Sequence, residues 1–267
     1  MKTTKSGKWR VASDTLTGEA CEVQSCHVSR VTCHPFGFTL IELLTVIAII
    51  GVLAAFTFTA LGRIKRQQYI RNATAEMAQL ETAIERFKAA YGFYPPDNPC
   101  DPRVNQLYFE LLGTTIVTNS GILNYQSLDD PTIQFPVTSI NTVFGMNGPN
   151  NCVGGFINCN KPGAGEEARP AQNFAAGLKP NQLTVYTNNV GNNIYPIKLI
   201  ITAVGGPDIT YKPLGPGALG INPWRYNSSS PTNNPGAYDL WIQLCISGKT
   251  NLVCNWNKQA QLNSPLP

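Results

Sequence analysis

The chain of 267 residues is 43% hydrophobic and 13% charged, with a formal net charge of +4, and that length holds one or two ordinary domains. So small a positive balance, with no long basic block, argues against nucleic acid as a partner. Both histidines, His27 and His34, precede residue 37, which removes Ser/His and Cys/His catalysis and imidazole metal ligation from everything beyond it.

In chain order, residues 1–37 come first, a polar leader with Lys2, Lys5, Lys8, Arg10 and Arg30 and the cysteines Cys21, Cys26 and Cys33. Phe38 to Leu61 follows, 24 residues whose one ionisable side chain is Glu42. As a helix this run is about 36 Å long, enough to cross a bilayer core. The polar segment precedes it and no A-x-A site closes it, so it reads as a retained anchor rather than a cleaved secretory signal.

Ile70, Ala73, Met77, Leu80, Ile84, Phe87 and Tyr91 then recur at steps of three and four, one face of an amphipathic helix. No Pro or Gly interrupts 63–91, and Gly92 fits a helix stop. The spacing predicts one helix over 38–91, roughly 80 Å by its rise. Its transmembrane half is 38–61 and its amphipathic half 62–92. A short anchor followed by a separate amphipathic helix is the alternative.

Residues 93–267 hold 19 prolines and 17 glycines, a composition of many turns and few long helices. Strand-like segments are Leu183–Thr187, Ile197–Val204, Trp224–Asn227 and Tyr238–Ser247. An antiparallel sheet packed on the helix stripe is the simplest layered solution, so the expected fold class is α+β. Residues 130–180 read as an irregular region. No CxxC pair occurs, which argues against a zinc ribbon. The short spacings Cys152/Cys159 and Cys245/Cys254 suit two local disulfides, which need an oxidising compartment and leave Cys100 odd. Five reduced, buried cysteines are the alternative. Other chemistry is thin. Glu166 and Glu167 read as a solvated acidic pair, Asp129 and Asp130 as a turn, and the Gly pairs after Val153 and Val204 lack the Lys of a phosphate loop.

Glu42 asks for an explanation, because an ionised carboxylate inside a bilayer costs several kcal/mol. A cut between Gly37 and Phe38 would create an α-amine four residues before it, on the same helical face. The two could pair within one chain or between staggered neighbours, and only the second pairing specifies an assembly.

"GFTLIELLTVIAIIGVLAA", from Gly37, resembles the type III signal of type IV pilins and type II secretion pseudopilins. The resemblance implies a prepilin peptidase that cuts after Gly37 and N-methylates Phe38, with Glu42 guiding subunits into a helical filament. "AIERFKAAYGFYPPDNP" resembles the helix end of major pseudopilins. Pro223, Trp224, Tyr226, Tyr238, Asp239, Leu240 and Trp256 match their C-terminal hairpin series. The family fold is a long N-terminal helix packed on a C-terminal antiparallel sheet. Three departures stand out: a leader of 37 residues, no helix-kinking Pro from 38 to 94, and Arg63, Lys65, Arg66 and Arg71 just after the span. The positive-inside rule alone would place that basic side in the cytoplasm; the specific signal and the cysteine spacings outweigh it.

Major pseudopilins usually hold calcium in the loop after the hairpin, through charged oxygen ligands. No Asp or Glu follows Asp239 here, so that site is expected to be absent or weakened, with no cofactor and no metal. The expected role is structural, not enzymatic. The chain would be a subunit of a type II secretion pseudopilus, anchored in the inner membrane with its N-terminus cytoplasmic and its head periplasmic. Its partners would be prepilin peptidase, other pilin or pseudopilin subunits in a homopolymer, and an inner-membrane assembly platform. A type IV pilus subunit for adhesion, motility or DNA uptake is the same-class alternative. A membrane-anchored extracytoplasmic binding protein is the alternative of another class.

Overall fold

A computed structural model describes residues 37–145, 155–163, 169–190, 193–204, 221–246 and 248–263, and within these the side chains of 56–63, 188–190 and 193 are not described. Residues 1–36 of the leader, Cys152 and the Glu166/Glu167 pair lie outside the described residues. The chain falls into two compact units, 1–52 and 53–267.

The first unit is the start of helix α1 (Leu40–Tyr91). Its apolar side chains are uncovered all round, from Leu40, Ile41 and Leu43 to Ile49, Ile50 and Val52. Among the described residues no helix is long and apolar enough to cross a membrane. The apolar stretch whose side chains are described ends at Ala55.

In the second unit the rest of α1 supplies one wall of the core. Ala73, Leu80, Ile84 and Phe87 are wholly buried, Met77 nearly so, and Ile70 and Tyr91 pack at the margin. These are the residues the three-and-four spacing selects. The helix stops where Gly92, at φ +87, donates its N–H to the Lys88 carbonyl at 2.7 Å. That left-handed conformation costs glycine little.

The short helix α2 (Leu107–Leu112) is buried at every position. Hairpin β1 (Thr114–Asn119) and β2 (Ile122–Ser127) turns through Ser120 and Gly121, both at positive φ, which suits the right-handed strand twist. Strand β3 (Gln134–Pro136), helix α3 (Ile140–Val143) and strand β4 (Cys159–Asn160) follow, then β5 (Leu183–Val190) and β6 (Asn193–Ile200). The C-terminal part is β7 (Arg225–Asn227), β8 (Asp239–Ile246), β9 (Lys249–Cys254) and β10 (Asn257–Leu262).

The α+β class is as expected, but the described strands form three sheets rather than one. Their orders are β3-β2-β1-β4, β10-β9-β8-β7 and the pair β5-β6. The C-terminal sheet is antiparallel throughout, while β1 and β4 pair in parallel over two residues. Leu240, Ile242, Leu244, Ile246 and Val253 share one core with the α1 stripe. Polar ties fix the helix along that core. Arg66 donates through Nε and Nη2 to Asn251 Oδ1 at 2.9 and 2.7 Å, and Glu76 accepts from Thr202 Oγ1 at 2.7 Å. Tyr91 Oη donates to Asn158 Oδ1 at 3.0 Å. The 130–180 region contributes Phe135, Ile140, Val143, Phe144, Phe156 and Phe174 to the core, so it is more than a surface loop.

Glu110 of α2 is fully buried and fastens this region, accepting from the backbone N–H groups of Ile157 and Asn158 at 2.9 and 3.0 Å. Burial pushes its carboxyl up to about 7, against the pull of those two donors and of Lys161. Its folded value therefore lies above the unfolded one of about 4.3. The stability that Glu110 contributes is whole below the unfolded value and falls as pH rises through 7, by about 4 kcal/mol over that window. Glu110→Gln should flatten the pH dependence of thermal unfolding between about pH 5 and 8. An unchanged slope would show that the carboxyl stays ionised in the fold.

Candidate functional site

Gly37, Phe38 and Glu42 stand together at the head of α1. Gly37 has open space around its Cα, and Phe38 is 78% exposed. Thr39 is the residue that sequence reading missed. Its backbone N–H and its Oγ1 both donate to Glu42 Oε2 at 2.8 Å, and its Oγ1 accepts from the Glu42 N–H at 3.3 Å. The Thr39 carbonyl takes the first intrahelical bond, from Leu43 N–H at 3.2 Å. This is a reciprocal capping box, Thr at N-cap and Glu at N3, and its T-x-x-E spacing was legible in the sequence. Glu42 thus starts the helix as well as carrying the lone charge of the apolar run. Both donors fall on Oε2, and Oε1 accepts no hydrogen bond among the described residues.

A second arrangement sits at the C-terminal hairpin. Asp239 is buried and each of its oxygens is engaged. Oδ2 accepts from Thr232 N, Asn233 N and Asn233 Nδ2 at 2.9, 2.9 and 3.1 Å, and Oδ1 accepts from Asn234 N at 2.9 Å. Asp97, just beyond α1, does the same for Ser228 and Ser229. Two carboxylates therefore clasp the segment 228–234 by its N–H groups. A hard cation needs oxygen lone pairs aimed at it, whereas here N–H donors aim at the carboxylates. Trp224 is buried in the main core, and Trp256 packs on Trp241, Leu252 and Cys254 in a smaller cluster.

The cysteine expectation is corrected for one pair. The β8–β9 register sets Cys245 opposite Thr250 and Cys254 opposite Trp241. Both side chains share a face, but the rung of Gln243 and Leu252 lies between them. Four residues along a strand are about 13 Å, whereas a disulfide needs Cα atoms within about 7 Å. Cys245 and Cys254 are buried thiols. Cys159 is likewise a buried thiol, donating to the Asn160 carbonyl at 3.7 Å, while its expected partner Cys152 lies outside the described residues.

One cleft, of about 360 Å³, lies between α1 and the Pro180–Gln182 turn, lined by Asn72, Glu76, Gln79, Lys179, Gln182 and Val204. Its acid, Glu76, is already committed to Thr202 Oγ1 and Ala203 N–H. Burial raises the Glu76 carboxyl.

The family described as "Prokaryotic N-terminal methylation motif" matches residues 36–58. The chain is 34% identical over 113 residues to "Fimbrial protein EcpB" of Eikenella corrodens, an alignment covering 42% of this chain and 69% of that protein. No solved structure matches the chain. The register makes its own test. Alkylation of the denatured, unreduced protein followed by peptide mass spectrometry should label both Cys245 and Cys254. A peptide linking the two would overturn the β8–β9 pairing.

Proposed function

Because this chain belongs to the type IV pilin-like family of filament subunits, we propose that it is made as an anchored precursor, trimmed by prepilin peptidase between Gly37 and Phe38, and built into a fibre. The observation that carries this reading is an apolar helix, uncovered all round, that begins inside a methylation motif. Such a surface must be covered by lipid or by like helices, and the two covers in turn describe a precursor and a polymer. Phe38–Leu61 spans the inner membrane, with the leader cytoplasmic and the head outside. The role is structural rather than catalytic.

The trimmed α-amine stands one residue before the Thr39 cap. Thr39 occupies Glu42 Oε2, so Oε1 is the oxygen left to accept from an ammonium of the neighbouring subunit. Taking either charge away from a buried pair strands the other, at about 3–5 kcal/mol. The pair therefore fixes the stagger between subunits, not merely their adhesion.

Two kinds of fibre remain, and different observations favour them. The relative named as a fimbrial protein favours a type IV pilus subunit, which we take as the first reading. The resemblance of Trp224, Tyr226, Tyr238, Asp239 and Trp256 to a pseudopilin hairpin favours a secretion pseudopilus. Expression with prepilin peptidase and an assembly ATPase distinguishes them by electron microscopy. Long surface fibres containing this chain support the pilus, whereas loss of protein export on deletion without any surface fibre supports the pseudopilus. A trimmed monomer that never polymerises sinks both and favours an anchored binding protein.

Glu42→Gln separates capping from charge, since Gln also serves at N3. This variant should be cut after Gly37 as usual and yet yield at least tenfold less fibre, by the loss of one buried charge pair. Normal fibre yield would rule out the ammonium–carboxylate mechanism. The 228–234 clasp, in our reading, holds without metal. A chelator should leave the unfolding temperature of the full chain unchanged, while Asp239→Ala should lower it by several degrees, as expected for a buried acceptor of several N–H groups. Stabilisation by added calcium would refute the metal-free clasp.

A further inference from the structure

The basic residues that follow the apolar run gain a purpose from their placement. No Asp or Glu occurs from 43 to 75 or from 240 to 267. Lys65 and Arg71 of α1 and Lys249 of β9 are all exposed. Among the described residues none of the three forms an ion pair. Arg66 is the half-buried member of the group. Its two hydrogen bonds to Asn251 bring β9 beside this part of α1, and Lys249 is two residues from Asn251.

At about 100° per residue, Lys65, Arg66 and Arg71 point some 0°, 100° and 240° around the helix. They form a ring, and Lys249 reinforces the side on which Arg66 turns towards the sheet. A protein partner arriving from one direction would call for a stripe on one face. A ring at one end of an apolar run suits a plane that the helix pierces.

The levels agree with that plane. Lys65 lies about 6 Å beyond Leu61 along the helix axis, within the headgroup layer, and Arg71 about 15 Å beyond. Helical side chains lean towards the N-terminus, here towards the run, which shortens the reach that Arg71 must make. We infer that Lys65, Arg71 and Lys249 form a collar that binds the phosphates of anionic phospholipids in the leaflet next to the head. The inference rests on the membrane-anchored reading above. It also accounts for basic residues outside the cytoplasm against the positive-inside rule: they hold the head down on the leaflet until the subunit is pulled out.

The test places the full chain in bilayers of phosphatidylcholine containing a trace of spin-labelled phosphatidylglycerol or spin-labelled phosphatidylcholine. Electron spin resonance then measures the lipid held at the protein. Phosphatidylglycerol should associate at least about fivefold more strongly, the gain that a basic residue near an anionic headgroup supplies. That preference should vanish in 1 M salt, where the screening length falls to about 3 Å. It should also vanish in the K65Q/R71Q/K249Q variant, which leaves Arg66 and its bond in place. Equal association of the two lipids with the unaltered chain overturns the collar while leaving the anchor intact. A preference that survives in the variant also overturns it, as does a variant that loses self-association and no lipid preference, because the ring then serves a second copy of the chain. Absence of motionally restricted lipid of either kind refutes the anchor itself, and the collar with it.

Discussion

The constraint on which everything else depends is a helix that cannot be left in water. From Leu40 to Val52 nearly every side chain of α1 is apolar and uncovered. At roughly 1.5–3 kcal/mol for each large side chain withheld from burial, the nine such residues would rival or outweigh the whole stability of an ordinary domain. The surface must therefore always have a cover. Lipid and the helices of other subunits are covers of similar polarity, so exchange between them need not cross a large hydrophobic barrier. On the proposed function, that equivalence would let one sequence serve as both an anchored precursor and a polymer.

Further along, the same helix is constrained in another way. Its stripe from Ala73 to Phe87 is buried on one face only, and the polar ties at Arg66, Glu76 and Tyr91 each meet a different segment of the second unit. These ties fix the rotation and slide of the helix over its core, which apolar contact alone leaves loosely specified. Glu110 and Asn158 then fasten residues 155–163 and 169–174 to α2, through buried and half-buried bonds matched donor to acceptor. Irregular chain can lie in a core only on those terms.

What could be read from the sequence followed the range of the signals. The helix, its stop at Gly92, its buried stripe and the strands at Leu183, Arg225 and Asp239 all announce themselves within a short window, by period or by punctuation. The β1–β2 hairpin was missed although Ser120–Gly121 is a two-residue turn, because Thr114–Ser127 is rich in polar residues and lacks clean alternation. The division into three sheets was out of reach, since the parallel β1–β4 pair joins residues some 45 apart through chain with no periodicity. The Cys245–Cys254 expectation failed because spacing ignores register. The β8–β9 register makes Thr250 the partner of Cys245, and only the pairing shows that Cys254 has been carried past. At the head of α1 the reading of Glu42 was incomplete rather than mistaken: attention to its charge hid the T-x-x-E cap.

That cap changes how the acid near the start of an apolar run should be understood. A bare carboxylate entering a bilayer meets a cost of several kcal/mol that only a partner can offset. Thr39 offsets part of it locally, since two donors at 2.8 Å already solvate Oε2, and the partial positive charge of the helix N-terminus acts in the same direction. The carboxylate is thereby held in one orientation before any neighbour arrives. An ammonium approaching such a group finds an acceptor already aimed, so less side-chain freedom is lost when the pair forms. In the proposed cycle, a residue that caps its own helix while keeping one oxygen open would be stable enough to wait in the precursor, and unsatisfied enough to select a partner at a fixed stagger.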